Sequence, residues 1–287
     1  MGIALGPNRY GKAETRVVRV TRDGDVHRVK DLNVSVALSG DMTEVHLRGD
    51  NAAVLPTDTQ KNTVFALARK HGIASAEEFA LLLARHFTGS QPTIRTARVS
   101  VEEYAWDRIP VTGHSFVRRG QEVRTARVVH SEEGAHVVSG VRDLTVLNST
   151  GSEFRGYIRD EYTTLPEAAD RILATDVHAE WRHLTPEGDW DASYAEVRRI
   201  LLETFAGTYS RSLQQTLYAM GRRVLEERPE ICEVRLAMPN KHHFVVDLEP
   251  FGMDNPNEVF FAADRPYGLI EGTVLRDDAP AAEEAWQ

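Results

Sequence analysis

Pro239-Asn240-Lys241-His242-His243 sets an amide, an amine and two imidazoles at the mouth of the apolar run Phe244-Val245-Val246-Asp247-Leu248. Such side chains can bind a metal, carry protons, or simply end a strand. Alternation along a strand puts Asn240 and His242 on one face and Lys241 and His243 on the other. The adjacent histidines are therefore poorly placed to grip one metal together, and Asn240 with His242 is the pair to follow. The eleven histidines are scattered, and no His-Glu-x-x-His spacing, glycine-rich phosphate loop or dinucleotide fingerprint occurs. Metal dependence is not expected.

Other residues offer complementary chemistry. Lys12 follows Arg9-Tyr10-Gly11 just before a strand; it is either a solvated lysine or, if partly buried, a base of lowered pKa. Leu55 through Thr63 is a polar turn feeding a helix. Thr57 and Asp58 there are ordinary turn and cap residues, or the anion-binding start of a helix with a hydroxyl that relays protons. Phe154 sits in the glycine-flanked stretch Ser152-Glu153-Phe154-Arg155-Gly156, either a plain loop aromatic or a platform for a flat heterocycle. Arg171 and Gln214 fall at the edges of apolar helical patterns. A guanidinium and a primary amide together can read a purine-dione edge, because the amide both donates and accepts.

The elements that must position these groups follow from periodicity. Strands are expected over Thr15–Val20, Leu32–Leu38 and Val45–Leu47, with a turn at Asp23-Gly24-Asp25. Helices are expected from about Gln60 to Lys70 and after the capping box Ser75-Ala76-Glu77-Glu78. Strands resume over Thr93–Ala105, His114–Arg118, Gln121–His130 and Ala135–Val141. The second half repeats the order. Strands at Leu144–Leu147 and Val177–Leu184 flank a short helix opening at Thr164-Leu165-Pro166-Glu167, which carries Arg171 on its edge. A helical hairpin spans about Tyr194 to Glu227, with Leu213, Leu217, Met220 and Val224 in helical register. Strands return at Ile231–Ala237, His243–Leu248, Glu258–Ala262 and Leu269–Leu275. Two strand-strand, helix, strand-strand halves suggest a duplicated α+β unit. Residues 1–141 form the expected first domain and 142–276 the second. Residues 277–287, acidic and alanine-rich, read as a loose tail.

The 287 residues, 41% apolar and 27% charged, suit a globular protein with a proper core. The balance of 34 basic against 43 acidic residues, −9 in all, argues against nucleic acid and anionic membrane as partners. The single cysteine, Cys232, lies in an apolar run, so no intrachain disulfide can form and a buried small hydrophobe is expected. No segment reads as a signal peptide or membrane span, and a cytoplasmic location is expected.

Taken together, several segments resemble the urate oxidase (uricase) family, and the likeness spans most of the chain. They are Tyr10-Gly11-Lys12, Thr57-Asp58-Thr59-Gln60-Lys61-Asn62-Thr63, and Phe154 through Arg171 with its core Arg159-Asp160-Glu161-Tyr162-Thr163-Thr164-Leu165. Leu213-Gln214 with Thr216-Leu217-Tyr218, Pro239-Asn240-Lys241-His242, and Asn257-Glu258-Val259-Phe260 through Gly268-Leu269-Ile270 complete the set. Their joint occurrence in this order is specific.

The resemblance implies an α+β chain of two tandem tunnelling-fold (T-fold) domains, antiparallel sheets with helices on one face. Two chains join their sheets into a barrel and two barrels stack into a homotetramer, with active sites at subunit interfaces. It implies oxidation of urate by molecular oxygen to 5-hydroxyisourate and hydrogen peroxide, with no metal or organic cofactor. Lys12, Thr57 and His242 would relay protons, and Asn240 with Thr57 would hold oxygen. Thr57, Asp58, Phe154, Arg171, Leu213, Gln214 and Asn240 would hold urate, with Lys12, Thr57 and Asp58 arriving from a neighbouring subunit. Another T-fold purine or pterin enzyme, such as a cyclohydrolase or aldolase, is the alternative, as is a noncatalytic purine-binding protein. The cyclohydrolase normally needs zinc, for which the chain offers no convincing ligand set, and a purine-binding protein would not need Lys12.

Overall fold

The structure is a computed structural model that describes residues 2–286, the Asp264 side chain excepted. Met1 and Gln287, the outer ends of the expected first domain and tail, lie outside the described residues. The chain divides into two compact units. The first comprises residues 1–140, 181–194 and 280–287, and the second residues 141–180 and 195–279.

In the first unit, β1 (Tyr10–Asp23) and β2 (Val26–Gly40) form an antiparallel hairpin about the expected Gly24-Asp25 turn. After α1 (Thr43–Arg48) come α2 (Thr57–His71), α3 (Ala76–Ser90) and β3 (Ile94–Glu103). A small hairpin of β4 (Trp106–Arg108) and β5 (Phe116–Arg118) precedes β6 (Val123–Ser131) and β7 (Gly134–Asn148). The strand order is β1-β2-β3-β6-β7. Along β2, Leu32, Val34, Val36 and Leu38 alternate inward and are buried, as are Ala97, Val99 and Val101 on β3. They pack with Phe79, Leu83 and Phe87 of α3 and Val64 and Leu67 of α2. Each large side chain so buried contributes about 1.5–3 kcal/mol. The Ser75 hydroxyl accepts from the Glu78 amide at 3.1 Å, so α3 starts where its capping signal lies.

A polar cluster sits within this core. Glu77, fully buried, accepts from Arg124 Nη2 at 2.7 Å and from the Ser139 hydroxyl at 2.7 Å. Ser139 also meets His183 Nε2 at 2.9 Å, and the His183 ring stands edge-on to Trp190. Buried charge is tolerable only when paired and hydrogen-bonded in this way.

In the second unit, the remainder of β7 is followed by β8 (Leu173–His183), α4 (Trp190–Gly207), α5 (Leu213–Glu227), β9 (Ile231–Val245) and β10 (Phe260–Leu275). The strand order is β7-β8-β9-β10, with β9 and β10 antiparallel. The α5 stripe of Leu213, Leu217, Met220 and Val224 is buried as its spacing predicts. Gly221 lets α5 approach closely, since a Cβ there would lie 2.6 Å from Val274 Cγ2. Cys232 is buried in β9.

Antiparallel sheets with packed helices make this the α+β fold expected. Several local expectations are corrected. Val45–Leu47 is not a strand but part of α1, closed by left-handed Gly49, whose N–H donates to Val45 O at 3.1 Å. No helix opens at Thr164. The expected capping residue Glu167 instead accepts from the distant Gly156 amide at 3.1 Å, and Ala168 pairs with Phe154 in an isolated antiparallel bridge. Ile231–Ala237 and His243–Leu248 are not separate strands, because β9 runs unbroken through Pro239 and ends at Val245. Phe260–Ala262 of the expected Glu258–Ala262 strand and Leu269–Leu275 likewise fall on one strand, β10, with an irregularity between Ala263 and Gly268. The segment after Leu275 is not a loose tail. Ala282 and Ala285 are buried against Val138, and Pro280 O accepts from Arg182 at 2.7 Å. Alanines small enough to fit beneath neighbouring side chains anchor this otherwise acidic segment. Among the described residues, no helix is long and apolar enough to cross a membrane.

Candidate active site

A cavity of about 470 Å³ opens in the second unit, lined among others by Phe154, Arg171, Leu213, Gln214, Asn240 and His242. Six of the expected site residues, distant in sequence, thus share one concavity of the size small-molecule sites occupy.

Phe154 is held at both backbone atoms. Its N–H donates to Ala168 O at 2.9 Å and its carbonyl accepts from the Ala168 amide at 3.0 Å. Three residues on, Arg171 reaches the cavity from an irregular segment just ahead of β8, not from a helix edge. Its guanidinium lies 5.2 Å from the Phe154 ring centroid, and its buried Nε has no hydrogen-bond partner. Burial also lowers the Arg171 pKa. A half-buried fork with an unanswered donor is suited to a planar ligand that accepts hydrogen bonds.

Asp170, not anticipated from sequence, fixes the other side of this loop. It accepts from Thr150 Oγ1 at 2.6 Å and from the Gly151 amide at 2.9 Å. The Thr150 hydroxyl is the main reason its carboxyl sits below the ordinary range. The only sequence signal for it is the general preference of aspartate for loops.

Leu213 and Gln214 occupy the first turn of α5. Ser212 caps that helix, its hydroxyl accepting from the Gln215 amide at 3.2 Å. The first amides of a helix lack internal partners and carry the positive end of its dipole, so this cavity wall favours an anion.

Asn240 and His242 lie on β9, paired with Gly268 and Ala263 of β10, and the β10 irregularity falls between those two partners. Such irregularities re-aim side chains beside them. Asn240 and His242 both reach the cavity, as alternation predicts. Lys241 is turned elsewhere, its Nζ 2.6 Å from Asp176 Oδ2 on β8. His243 also borders the cavity, and its Nδ1 lies 3.0 Å from Lys241 O. The His242 pKa is lowered, chiefly by burial and then by the positive charges of Arg171 and His243.

Lys12, Thr57 and Asp58 belong to the first unit and do not line this cavity. They form a group of their own. Lys61 is the main cause of the lowered Asp58 pKa, but Lys12 also contributes, which places its charge near the start of α2. The Tyr10 hydroxyl fixes that juxtaposition, donating to Leu55 O at 3.0 Å and accepting from the Leu55 amide at 2.8 Å. Gly11 is required by close packing, since a Cβ would lie 1.8 Å from Val36 O. Pro56 gives α2 no side-chain cap, leaving its first amides suited to an anion. Among the described residues, no three His, Cys, Asp or Glu side chains are grouped to hold a metal ion.

Comparison with known proteins gives this geometry a context. A family model described as Uricase matches residues 8–129 and 137–271. The chain is 55% identical over 284 residues to a uricase of Arthrobacter globiformis, covering 99% of this chain and 94% of that protein. It is 38% identical to a uricase of Dictyostelium discoideum, covering 94% and 96%. The crystal structure of uricase from Arthrobacter globiformis matches with a TM-score of 0.97 at 54% identity, covering 100% of this chain and 99% of that one. That of a uricase from Bacillus fastidious matches at 0.82 and 27% identity, covering 96% of each. Two matched segments spanning most of the sequence, and relatives alike over nearly their full length, establish that the chain belongs to the uricase family.

Proposed function

We propose that the cavity of the second unit is half of a urate-oxidising site, completed by Lys12, Thr57 and Asp58 of another copy of the chain. Membership of the family makes the chain a urate oxidase, with urate and oxygen as substrates. The products in this reading are 5-hydroxyisourate and hydrogen peroxide. Urate gives up two electrons, oxygen takes them with two protons, and one water balances the added hydroxyl. No metal or organic cofactor takes part.

The observation that carries the reading is the division of the expected residues into two groups. Six line one cavity, while Lys12 on β1 carries its charge near Asp58 at the start of α2. Edge strands support completion by another copy. β1 and β10 end their units' strand orders and are 14 and 16 residues long. Long edges are templates for pairing with another chain. Pairing β1 of one copy with β10 of the next brings Lys12 toward Asn240 and His242. It also joins the sheets of two T-fold chains into a barrel, and two such barrels form a tetramer.

In that site Phe154 stacks on the purine, and Arg171 and Gln214 bind its dione edge. The first amides of α2 and α5, at Asp58 and Leu213, hold the anion. Fixed orientation replaces freedom that separate reactants would lose at the barrier. His242, its pKa lowered, is neutral at pH 7 and can take a proton passed through Thr57 with Lys12. General-base assistance of this kind is worth about 10²–10⁴-fold. The electron-rich urate then reduces oxygen held by Asn240 and Thr57.

The test is to mix purified protein with urate and EDTA under oxygen, following loss of urate absorbance and release of peroxide. Loss of both in step, unaffected by EDTA, is expected. No urate loss overturns the activity, and loss abolished by EDTA overturns the metal-free reading.

A further inference from the structure

We infer that Tyr157 is a positioning residue that fixes the plane of Phe154 for stacking on the substrate. This rests on the reading that Phe154 carries the purine. The two rings are stacked, with centroids 4.9 Å apart and planes 15° from parallel. Phe154 lines the cavity whereas Tyr157 does not. Tyr157 therefore backs the phenylalanine from behind and leaves its cavity side to a ligand.

The backing ring is itself restrained. Gly156, at φ +73°, turns the chain so that Tyr157 folds back over Phe154, a conformation glycine adopts without strain. The Gly156 amide is held by Glu167 Oε1 at 3.1 Å. The Tyr157 hydroxyl donates to Leu165 O at 2.5 Å, and Leu165 is a cavity wall. On the outside, the Arg159 guanidinium lies 5.3 Å from the Tyr157 centroid. Phe154 thus has its backbone pinned to Ala168 and its ring pinned by Tyr157. A side chain locked before the ligand arrives loses less freedom on binding.

A double-mutant cycle on KM, kcat and equilibrium binding of xanthine, a planar purine dione, tests this. Tyr157→Leu removes the stacked ring, Tyr157→Phe keeps it and loses only the hydroxyl, and Phe154→Leu removes the platform. Tyr157→Leu is expected to raise KM and xanthine Kd about 2- to 12-fold, the range of an aromatic pair, with a smaller change in kcat. Tyr157→Phe restores most of that loss. Tyr157→Leu in a Phe154→Leu background has little further effect on xanthine Kd. An equal loss in both backgrounds, or a Tyr157→Phe variant as weak as Tyr157→Leu, overturns the inference. Phe154→Leu with unchanged xanthine binding instead overturns the stacking reading itself.

Discussion

Lys241 and Asp176 form an ion pair at 2.6 Å between the neighbouring strands β9 and β8, beside Asn240 and His242 yet outside the cavity that those two line. Asp176 also accepts from the Thr145 hydroxyl on β7. The pair ties the stretch of β9 that bears Asn240 and His242 to its neighbouring strands. Both partners are about a third exposed, and the pair is worth at most about 1 kcal/mol after solvent screening. Asp176→Ala is accordingly expected to lower kcat/KM about fivefold, with a small fall in Tm. Steady-state kinetics with thermal melting checks this; unchanged kcat/KM removes the positioning role.

In the proposed relay, the acid limb of activity follows from His242. Burial, Arg171 and His243 hold its pKa below the ordinary 6.5. The imidazolium is disfavoured in the folded chain, so protonation both removes the proposed base and opposes folding as pH falls below 6.5. The acid limb of kcat/KM is expected below pH 6.5. His243→Gln removes a nearby positive charge and moves the limb upward. A pH profile checks both, and a limb that persists unchanged in His242→Gln belongs to another group.

The buried Glu77–Arg124 pair supports the first unit. Glu77→Ala leaves the Arg124 guanidinium in the core without its buried carboxylate and is expected to cost about 3–5 kcal/mol. Thermal or denaturant unfolding measures it, and a loss below 1 kcal/mol would show that Asp191 and Glu103, which also face Arg124, suffice.

Much of this arrangement is legible in the sequence where local chemistry decides it. The Ser75 cap, the Gly24 turn and the α5 stripe depend on neighbours a few residues away, and all three form as their patterns predict. The loop bearing Phe154 and Arg171 is different. Glu167 has the type and spacing of a capping-box residue, yet its carboxylate accepts from an amide 11 residues back, and the Asp170 carboxylate accepts from one 19 residues back. That competition is invisible to local periodicity. The residue types of the candidate site are suggested by motifs, but the ring of Tyr157 stacked on Phe154 and the Lys241–Asp176 tie emerge only from tertiary contacts.

Complementation between two impaired chains tests the shared site most directly. Lys12→Met damages the half carried by the first unit, and Arg171→Gln the half carried by the second. Each alone should turn over little urate at subsaturating concentration. Co-expressed, a mixed pair contains one site with both defects and one with neither. Random mixing across two-fold related contacts then restores up to about a quarter of wild-type activity. Recovery near that level in co-expressed but not separately purified chains is the predicted result. Activity no greater than the sum of the two variants, in assemblies shown to contain both chains, contradicts a site shared between copies.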